Sequence, residues 1–142
     1  MSKSEEQILV GRVRARIGKI DYTVDLQAGK HRLVADEPAS HGGNNAGPGP
    51  FSLLLSGLAA CTAITLRMYA QRKGWNLTAV DVEAQLFREG SESHIDRSIS
   101  LHGDLDEAQT ARLLEVSEKT PVTLALKGGV EIRTKLDQSG VT

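Results

Sequence analysis

Residues 50–74 read PFSLLLSGLAACTAITLRMYAQRKG, and this stretch decides the fold. From Phe51 onward its first sixteen residues carry no charge. A helix formed here is apolar around most of its circumference, as helices buried on several sides are. Pro50 suits a first helical turn, and Gly74 suits the left-handed residue that ends a helix. The stretch predicts a long central core helix over residues 51–73, with Cys61 about three turns from its start.

Strand patterns lie on both sides of this helix. Residues 8–17 end in VRARI, where apolar residues alternate with arginines at the period of two expected of a half-buried strand. Four further segments have strand composition between turn residues: 22–26, His31–Ala35, 80–87 and 95–101. The sequence therefore predicts an antiparallel meander before the helix and a hairpin after it.

The C-terminal part predicts two more helices and a last strand. Apolar residues recur at helical spacing after Asp104, which forms a variant of the capping box with Glu107. Thr120 can cap a short helix, and Pro121 suits its first position. Residues 130–136 alternate as a final strand.

Length and composition bound the function. With 142 residues the chain suits one domain, residues 1–142, whose element order βββ-α-ββ-α-(short α)-β makes it an α+β fold. Its 17 Lys and Arg nearly balance its 18 Asp and Glu, so it lacks the positive field that nucleic-acid binding usually requires. It shows neither a secretory signal nor a charge-free apolar run of about 18 residues. We expect a cytoplasmic protein that binds neither nucleic acid nor a membrane.

Cys61 is the one residue through which thiol chemistry can run, because no second cysteine exists to form a disulfide or a Cys-rich zinc site. The helix dipole stabilises an anion mainly within the first helical turn, and Cys61 lies beyond that turn. A thiolate at Cys61 therefore needs a cation from another segment. Arg12, Arg14 and Arg16 share one strand face and are candidates for that cation, although such rows are often solvated strand edges. The alternative is that Cys61 is a buried, inert side chain of the core.

The loop over residues 36–50, DEPASHGGNNAGPGP, is too rich in glycine and proline for a regular element. Loops of this kind often carry function. It is not a phosphate-binding loop, because Gly47 is followed by Pro48 where that motif needs Lys. Asp36 and Glu37 point to opposite sides of an extended segment, which favours loop stabilisation over paired acid–base catalysis. The four histidines lack metal-ligand spacing, and we expect neither a metal nor a cofactor.

Several motifs, taken in order, resemble the OsmC/Ohr family of organic hydroperoxide reductases and their relatives. They are DEP at 36–38, GGNNAGPGP at 42–50, LLLSGLAACTAITLRMYA at 53–70, RKGW at 72–75 and HGDLD at 102–106. The resemblance covers nearly the whole chain. It implies an intertwined homodimer in which sheets from both subunits enclose two long central helices, with the reactive sites at the subunit interface.

The resemblance makes Cys61 the candidate peroxide-attacking (peroxidatic) thiol. It also implies a Glu nine or ten residues earlier, where this chain has Ser52 and Phe51, and what replaces that carboxylate stays open. The second, resolving cysteine of the family directly precedes Pro-Val at the start of the short helix, where this chain has Thr120. A hydroxyl there can still cap the helix, but the disulfide half of the family's cycle cannot occur.

The resemblance places the activating arginine in the N-terminal strands. Arg12, Arg14, Arg16 or a replacement such as Lys19 can supply that charge, and the choice among them stays open. Two functions follow. Cys61 reduces organic hydroperoxides with a small thiol or a partner dithiol as reductant, or the chain is a non-catalytic dimer that binds a hydrophobic small molecule in its interface pocket.

Overall fold

The computed structural model describes residues 6–137. The chain separates into two compact units, Met1–Leu54 and Leu55–Thr142, and its organisation as a single domain stays a prediction. The mixture of strands and helices is the α+β class that the sequence predicts. The elements, in chain order, are β1 (Val13–Ile17), β2 (Val24–Ala28), β3 (His31–Ala35), a 3-10 turn (Ala39–His41), α1 (Pro50–Lys73), β4 (Asn76–Glu89), β5 (Glu92–Asp104), α2 (Glu107–Ser117) and α3 (Pro121–Gly128).

The three N-terminal strands form an antiparallel sheet in the order β1-β2-β3, as predicted. Strand β1 is shorter than the predicted 8–17. Val13 pairs with Ala28, the last residue of β2, and the chain then turns at Gly29 with φ 60°. Residues before Val13 therefore have no partner on β2, and a strand without a hydrogen-bonded neighbour does not extend.

Strand β2 begins at Val24 rather than at residue 22. Tyr22 has φ 68°, in the left-handed region that a strand excludes. Strand β3 occupies His31–Ala35, the range that the sequence predicts. The meander is confirmed, with its second strand displaced by two residues because a turn residue comes before it.

Strands β4 and β5 form a hairpin longer than the predicted segments 80–87 and 95–101, with pairs from Asn76↔Asp104 to Glu89↔Glu92. The register shifts between Leu77 and Ala79. There the Arg67 guanidinium donates to the carbonyls of Leu77 at 2.8 Å and Thr78 at 2.9 Å. The side chain thus supplies hydrogen bonds at the point where the bulge disturbs the ladder.

Helix α1 begins and ends where its local chemistry predicts. Pro50 is its first residue, and Gly74 follows it with φ 70°. The backbone N–H of Trp75 donates to the carbonyl of Ala70 at 2.9 Å, which closes the last turn. By length and composition alone α1 is able to cross a membrane, a criterion that the core helix of a soluble protein also meets.

Within the described chain, α1 buries a single stripe. The stripe takes every fourth residue: Leu58, Thr62, Leu66 and Ala70. On other faces Ile64 is 60% exposed and Met68 is 50% exposed. The expectation of a helix buried on several sides is therefore wrong for one chain, because the elements packed against α1 cover only one face of it.

The second unit has a small apolar core. Side chains from α1, β4 and α2 make its fully buried centre: Leu66, Ala70, Leu77 and Leu113. Tyr69 and Trp75 pack against this core. Their two rings contact each other edge to face, with centroids 5.6 Å apart. This core fixes α1 against the hairpin and α2.

The C-terminal elements differ from the sequence prediction in two places. Helix α2 is capped by Asp106 and not by Asp104, because Asp106 forms the reciprocal capping box with Gln109. Residues 130–136 form no strand, although their apolar residues alternate and are exposed. The predicted last strand is therefore wrong for the described chain, since no strand edge pairs with this segment.

The Asp36 carboxylate organises the loop that leads to α1. Asp36 is only 2% exposed. It accepts hydrogen bonds from the Thr23 hydroxyl at 2.9 Å and from the backbone N–H groups of Glu37, Asn44 and Ala46 at 2.7, 3.3 and 3.2 Å. The loop thus folds around one carboxylate, and the expectation that Asp36 stabilises the loop agrees with its contacts.

Two glycines allow close backbone approaches in this loop, Gly47 to strand β3 and Gly43 to the start of the loop itself. A Cβ on Gly47 would lie 2.0 Å from the carbonyl oxygen of Val34, and one on Gly43 would lie 2.0 Å from that of Glu37. Any side chain at these positions would therefore displace backbone. At Gly49 the nearest atom to such a Cβ is the Asp36 carbonyl oxygen at 3.7 Å, an ordinary contact.

Gly47→Ala should lower the free energy of unfolding by about 1–3 kcal/mol or more, because the new methyl group would collide with the backbone carbonyl of Val34. Gly49→Ala is the matched control and should be neutral or stabilising by about 0.4–1 kcal/mol, because the Gly49 backbone lies outside the left-handed region and has room for a methyl group. Urea unfolding followed by circular dichroism measures both. Equal stability of the two variants would contradict the close approach at Gly47.

Asp36 should make the protein sensitive to acid. Burial opposes ionisation of this carboxyl, but the hydrogen bonds from Ala46, Thr23, Glu37 and Asn44 outweigh it and hold the pKa of Asp36 below its ordinary value of 3.8. A carboxyl whose pKa is lower in the folded state stabilises that state above the unfolded pKa, and this contribution is lost as pH falls through the folded pKa.

Asp36→Asn should therefore melt at a lower temperature than the native protein near pH 7, and the difference should narrow below about pH 4. Glu37→Gln is the matched control, because it removes the adjacent charge and leaves the bonds to Asp36 in place. Thermal melts across the pH range measure the effect. A gap between Asp36→Asn and native protein that stays constant with pH would contradict the assignment.

Candidate functional site

Cys61 lies at the edge of the buried stripe of α1 and is partly exposed. Its Sγ is 4.0 Å from the hydroxyl of Thr65, one turn further along the helix. Thr62, the next residue, is fully buried, whereas Ala60 and Ile64 are exposed. Cys61 is thus neither sealed in the core nor fully exposed.

Beside this turn of α1, Arg97 of β5 inserts a guanidinium group among three helices. Its side chain is 12% exposed. Nη1 donates to the hydroxyls of Thr62 at 3.0 Å and Thr123 at 2.9 Å. Nη2 donates to the carbonyl of Ser117 at 3.0 Å. One charged group therefore joins α1, the end of α2 and the first turn of α3.

Thr120, where the resemblance implies a resolving cysteine, belongs to the same cluster. Thr120 is fully buried, and its hydroxyl shares a hydrogen bond of 2.6 Å with that of Thr123. The expectation that the Thr120 side chain caps α3 is wrong, since it makes no such bond. A buried hydroxyl needs a partner, and Thr123 supplies one; the Thr120 carbonyl still accepts from the N–H of Leu124 at 2.9 Å.

Glu118 balances part of the positive charge of Arg97. Its carboxylate lies 3.8 Å from the guanidinium and also pairs with Lys127. The hydrogen bond from Lys127 lowers the pKa of Glu118, burial opposes this, and the charge of Arg97 contributes further in the lowering direction. Both cations thus keep Glu118 ionised beside the cluster.

The sequence motifs do not single out Arg97 as a site residue, although the alternation pattern of β5 contains a signal for it. In β5 the half-buried positions alternate with exposed ones, and Arg97 occupies a half-buried position between Ile95 and Ile99. A charged residue at an inward position of a strand must be paired or hydrogen-bonded. Its partners come from segments distant in sequence, which the sequence alone does not identify.

The arginines proposed from the sequence lie in the first unit. Arg14 and Arg16 are on β1, opposite Gln27 and Asp25, and Arg12 directly precedes the strand. All three are exposed, as is Lys19. Arg12 and Arg14 line an open depression of about 630 Å³ with Gln27 and Gly29. Their role in activating Cys61 stays a prediction.

The first turn of α1 carries no acidic residue, and Phe51 and Ser52 stand where the resemblance implies a carboxylate. Among residues 6–137 no group of three or more His, Cys, Asp and Glu side chains is arranged to hold a metal. A thiol becomes reactive as the thiolate, which nearby positive charge and hydrogen-bond donors stabilise.

A second feature of this unit is a partly open, mostly apolar cavity of about 270 Å³. It lies among α1, β5 and α2. Its lining residues are Leu66, Ile99, Leu101, Gly103, Leu105, Thr110 and Leu114. A cavity of this size and lining suits a small apolar group.

Comparison with known proteins identifies the family. Residues 42–135 match the family model described as OsmC-like protein. This range contains Cys61, Arg97 and Thr120. No curated protein matches the chain.

Solved structures share the fold at low sequence identity. An OsmC-like protein from Mycoplasma pneumoniae is 19% identical, with a TM-score of 0.71 over 86% of this chain and 90% of that one. The organic hydroperoxide resistance protein OhrB of Bacillus subtilis is 22% identical, with a TM-score of 0.61 over 87% and 94%. An organic hydroperoxide resistance protein OsmC from Legionella pneumophila is 21% identical, with a TM-score of 0.61 over 87% and 93%.

These likenesses establish the fold, and the family model establishes the relationship. The matched range, residues 42–135, is well over half of the chain and contains the helix with the thiol, the hairpin and both shorter helices. This chain therefore belongs to the family of OsmC-like proteins.

Proposed function

We propose that this protein reduces organic hydroperoxides at Cys61 and uses an external thiol as the reductant. The observation that carries the proposal is the partly exposed Cys61 thiol on the long helix of an OsmC-like domain. Two of the structural relatives are named organic hydroperoxide resistance proteins. That likeness supports the choice of substrate class.

The first step oxidises the sulfur. The Cys61 thiolate attacks one oxygen of the hydroperoxide, an S–O bond forms, and the O–O bond breaks. The leaving alkoxide takes up a proton and departs as the alcohol. Sulfur gives up two electrons, and Cys61 becomes a sulfenic acid.

The second step needs a thiol from outside the chain. The chain has one cysteine, and the family's resolving position holds the buried hydroxyl of Thr120, so no intramolecular disulfide forms. An external thiol instead condenses with the sulfenic acid, which releases water and leaves a mixed disulfide. A second thiol, or the second sulfur of a dithiol, then releases reduced Cys61 and carries away the disulfide.

Stabilisation of the thiolate falls to a cation of the N-terminal strands. The proposal assigns it to Arg12, Arg14 or Arg16, with Lys19 as the replacement. No metal and no cofactor take part, and the location proposed for the reaction is the cytoplasm. Nucleic acids and membranes have no place in this function.

The reaction site is proposed to lie in a homodimer. Ala60, Ile64 and Met68 form an exposed stripe on α1 next to Cys61, and a second copy that covers it would bury this apolar surface. Strand β1 is an edge of its sheet, and residues 130–136 alternate without a partner. Each of these unsatisfied features supports pairing with another chain.

The apolar cavity favours a second candidate function. Its 270 Å³ and leucine-rich lining suit a small hydrophobic ligand. In this alternative the protein is a non-catalytic dimer that binds such a ligand, and Cys61 has no redox role.

A steady-state assay separates the two functions. With an alkyl hydroperoxide and a dithiol, the native protein should turn over many times, and Cys61→Ser should fall to the uncatalysed rate because the hydroxyl is not a comparable nucleophile. Ala63→Ser is the matched control, since it adds the same hydroxyl to α1 and keeps the thiol. No turnover by the native protein would contradict the proposal and favour the ligand-binding alternative.

The dimer should depend on the apolar stripe of α1. Sedimentation should give twice the 15.3 kDa of one chain. Ile64→Glu should raise the dissociation constant at least about 100-fold, because it places an unpaired charge in the interface. Gln71→Glu adds the same charge further along α1, outside the stripe, and should leave the dimer intact. A compact native monomer at micromolar concentration would contradict the dimer.

A further inference from the structure

The hydroxyls around Arg97 are already oriented by other bonds. Thr62 donates its hydroxyl hydrogen to the carbonyl of Leu58 at 2.7 Å, which leaves its oxygen as the acceptor for Arg97. The hydroxyl of Thr123 donates to the carbonyl of Ser117 at 3.4 Å. The oxygen of that hydroxyl is therefore also an acceptor for the guanidinium. The guanidinium thus meets two acceptors fixed in place and not two freely rotating hydroxyls.

These contacts define one chain of bonds from the helix of Cys61 to Thr120. The chain runs from Thr62 to Arg97, from Arg97 to Thr123 and from Thr123 to Thr120, at 3.0, 2.9 and 2.6 Å. All three threonines are buried. The planar guanidinium has rigid donor geometry, so it constrains how far α1 at residue 62 can move from the first turn of α3.

We propose that Arg97 is a positioning residue that sets the separation between Cys61 on α1 and position 120 at the start of α3. The hydrogen bonds of the Arg97 guanidinium go to Thr62, Thr123 and Ser117. Arg97 acts through Thr62, which directly follows Cys61 in a rigid helix, and through Thr123. The relevance to catalysis rests on the proposed function, in which an incoming thiol must reach oxidised Cys61.

The separation can be measured without any peroxide. Thr120→Cys replaces the hydroxyl at the end of the bond chain with a thiol. A disulfide between this thiol and Cys61 reports how well the two positions satisfy disulfide geometry. The effective concentration of that disulfide, titrated in glutathione redox buffers, is the readout. A failure of hydroperoxide turnover would not affect this measurement, so the proposal and the proposed function fail separately.

In the Thr120→Cys background, Arg97→Met should lower the effective concentration at least about tenfold. Arg97→Lys should restore part of it, since an ammonium group keeps the charge and can donate to some of the same acceptors. Arg112→Met is the matched control. Arg112 also links two elements, through the Tyr69 hydroxyl at 2.9 Å, but lies outside the bond chain, and its replacement should change the value less than about twofold.

Two results would overturn the proposal. One is the absence of a disulfide in the Thr120→Cys parent. The other is an effective concentration in folded Arg97→Met, checked by its melting curve, that equals the value in the parent. If Arg97→Met does not fold, Thr62→Val decides the question, because it removes one bond of the chain and nearly preserves the side-chain shape. A drop in effective concentration supports positioning, and an unchanged value overturns it.

Discussion

The guanidinium of Arg97 is the constraint on which the second unit depends. A charge that is mostly removed from water must be hydrogen-bonded, and this one finds its acceptors on α1, at the end of α2 and on α3. Hydrogen bonds from a charged donor contribute about 1.5–3 kcal/mol each. Their loss would also leave the buried oxygen of Thr62 without a donor. Arg97 therefore holds β5 and the three helices in this arrangement.

The same cluster contains the position at which the resemblance implies a second, resolving cysteine. This chain has Thr120 there, and its hydroxyl is bonded to Thr123 in a fully buried site. Position 120 therefore offers a hydrogen-bonded hydroxyl and no sulfur. An OsmC-like fold can therefore hold Cys61 in place and still depend on an outside thiol to complete a redox cycle.

The long helix and the hairpin were predictable because their signals are local. Pro50 and Gly74 mark the ends of α1 by their own backbone preferences, and alternation marks β4 and β5. The sequence predicts a cap at Asp104, whereas Asp106 caps α2; the two acidic residues lie two positions apart and have the same side-chain chemistry. The class of fold and the position of Cys61 on its helix thus follow from the sequence.

Features that depend on a distant partner were not predictable. Residues 130–136 have a strand pattern, but alternation does not tell whether an edge is present to pair with them. The apolar circumference of α1 indicated burial on several sides, although the described chain covers one stripe. Arg97 has a signal in its inward position on β5, but its three acceptors come together only in the fold.

In the proposed function, Cys61 is a peroxide-reactive thiol, and the chain has no second cysteine to resolve its oxidation. Mass spectrometry after treatment with one equivalent of an organic hydroperoxide, with a sulfenic-acid trap present and no reductant, measures both properties. We expect trapped sulfenic acid at Cys61 and no intramolecular disulfide. A Cys61 thiol that stays free under conditions that oxidise ordinary exposed thiols would show that Cys61 is not a peroxide-reactive residue.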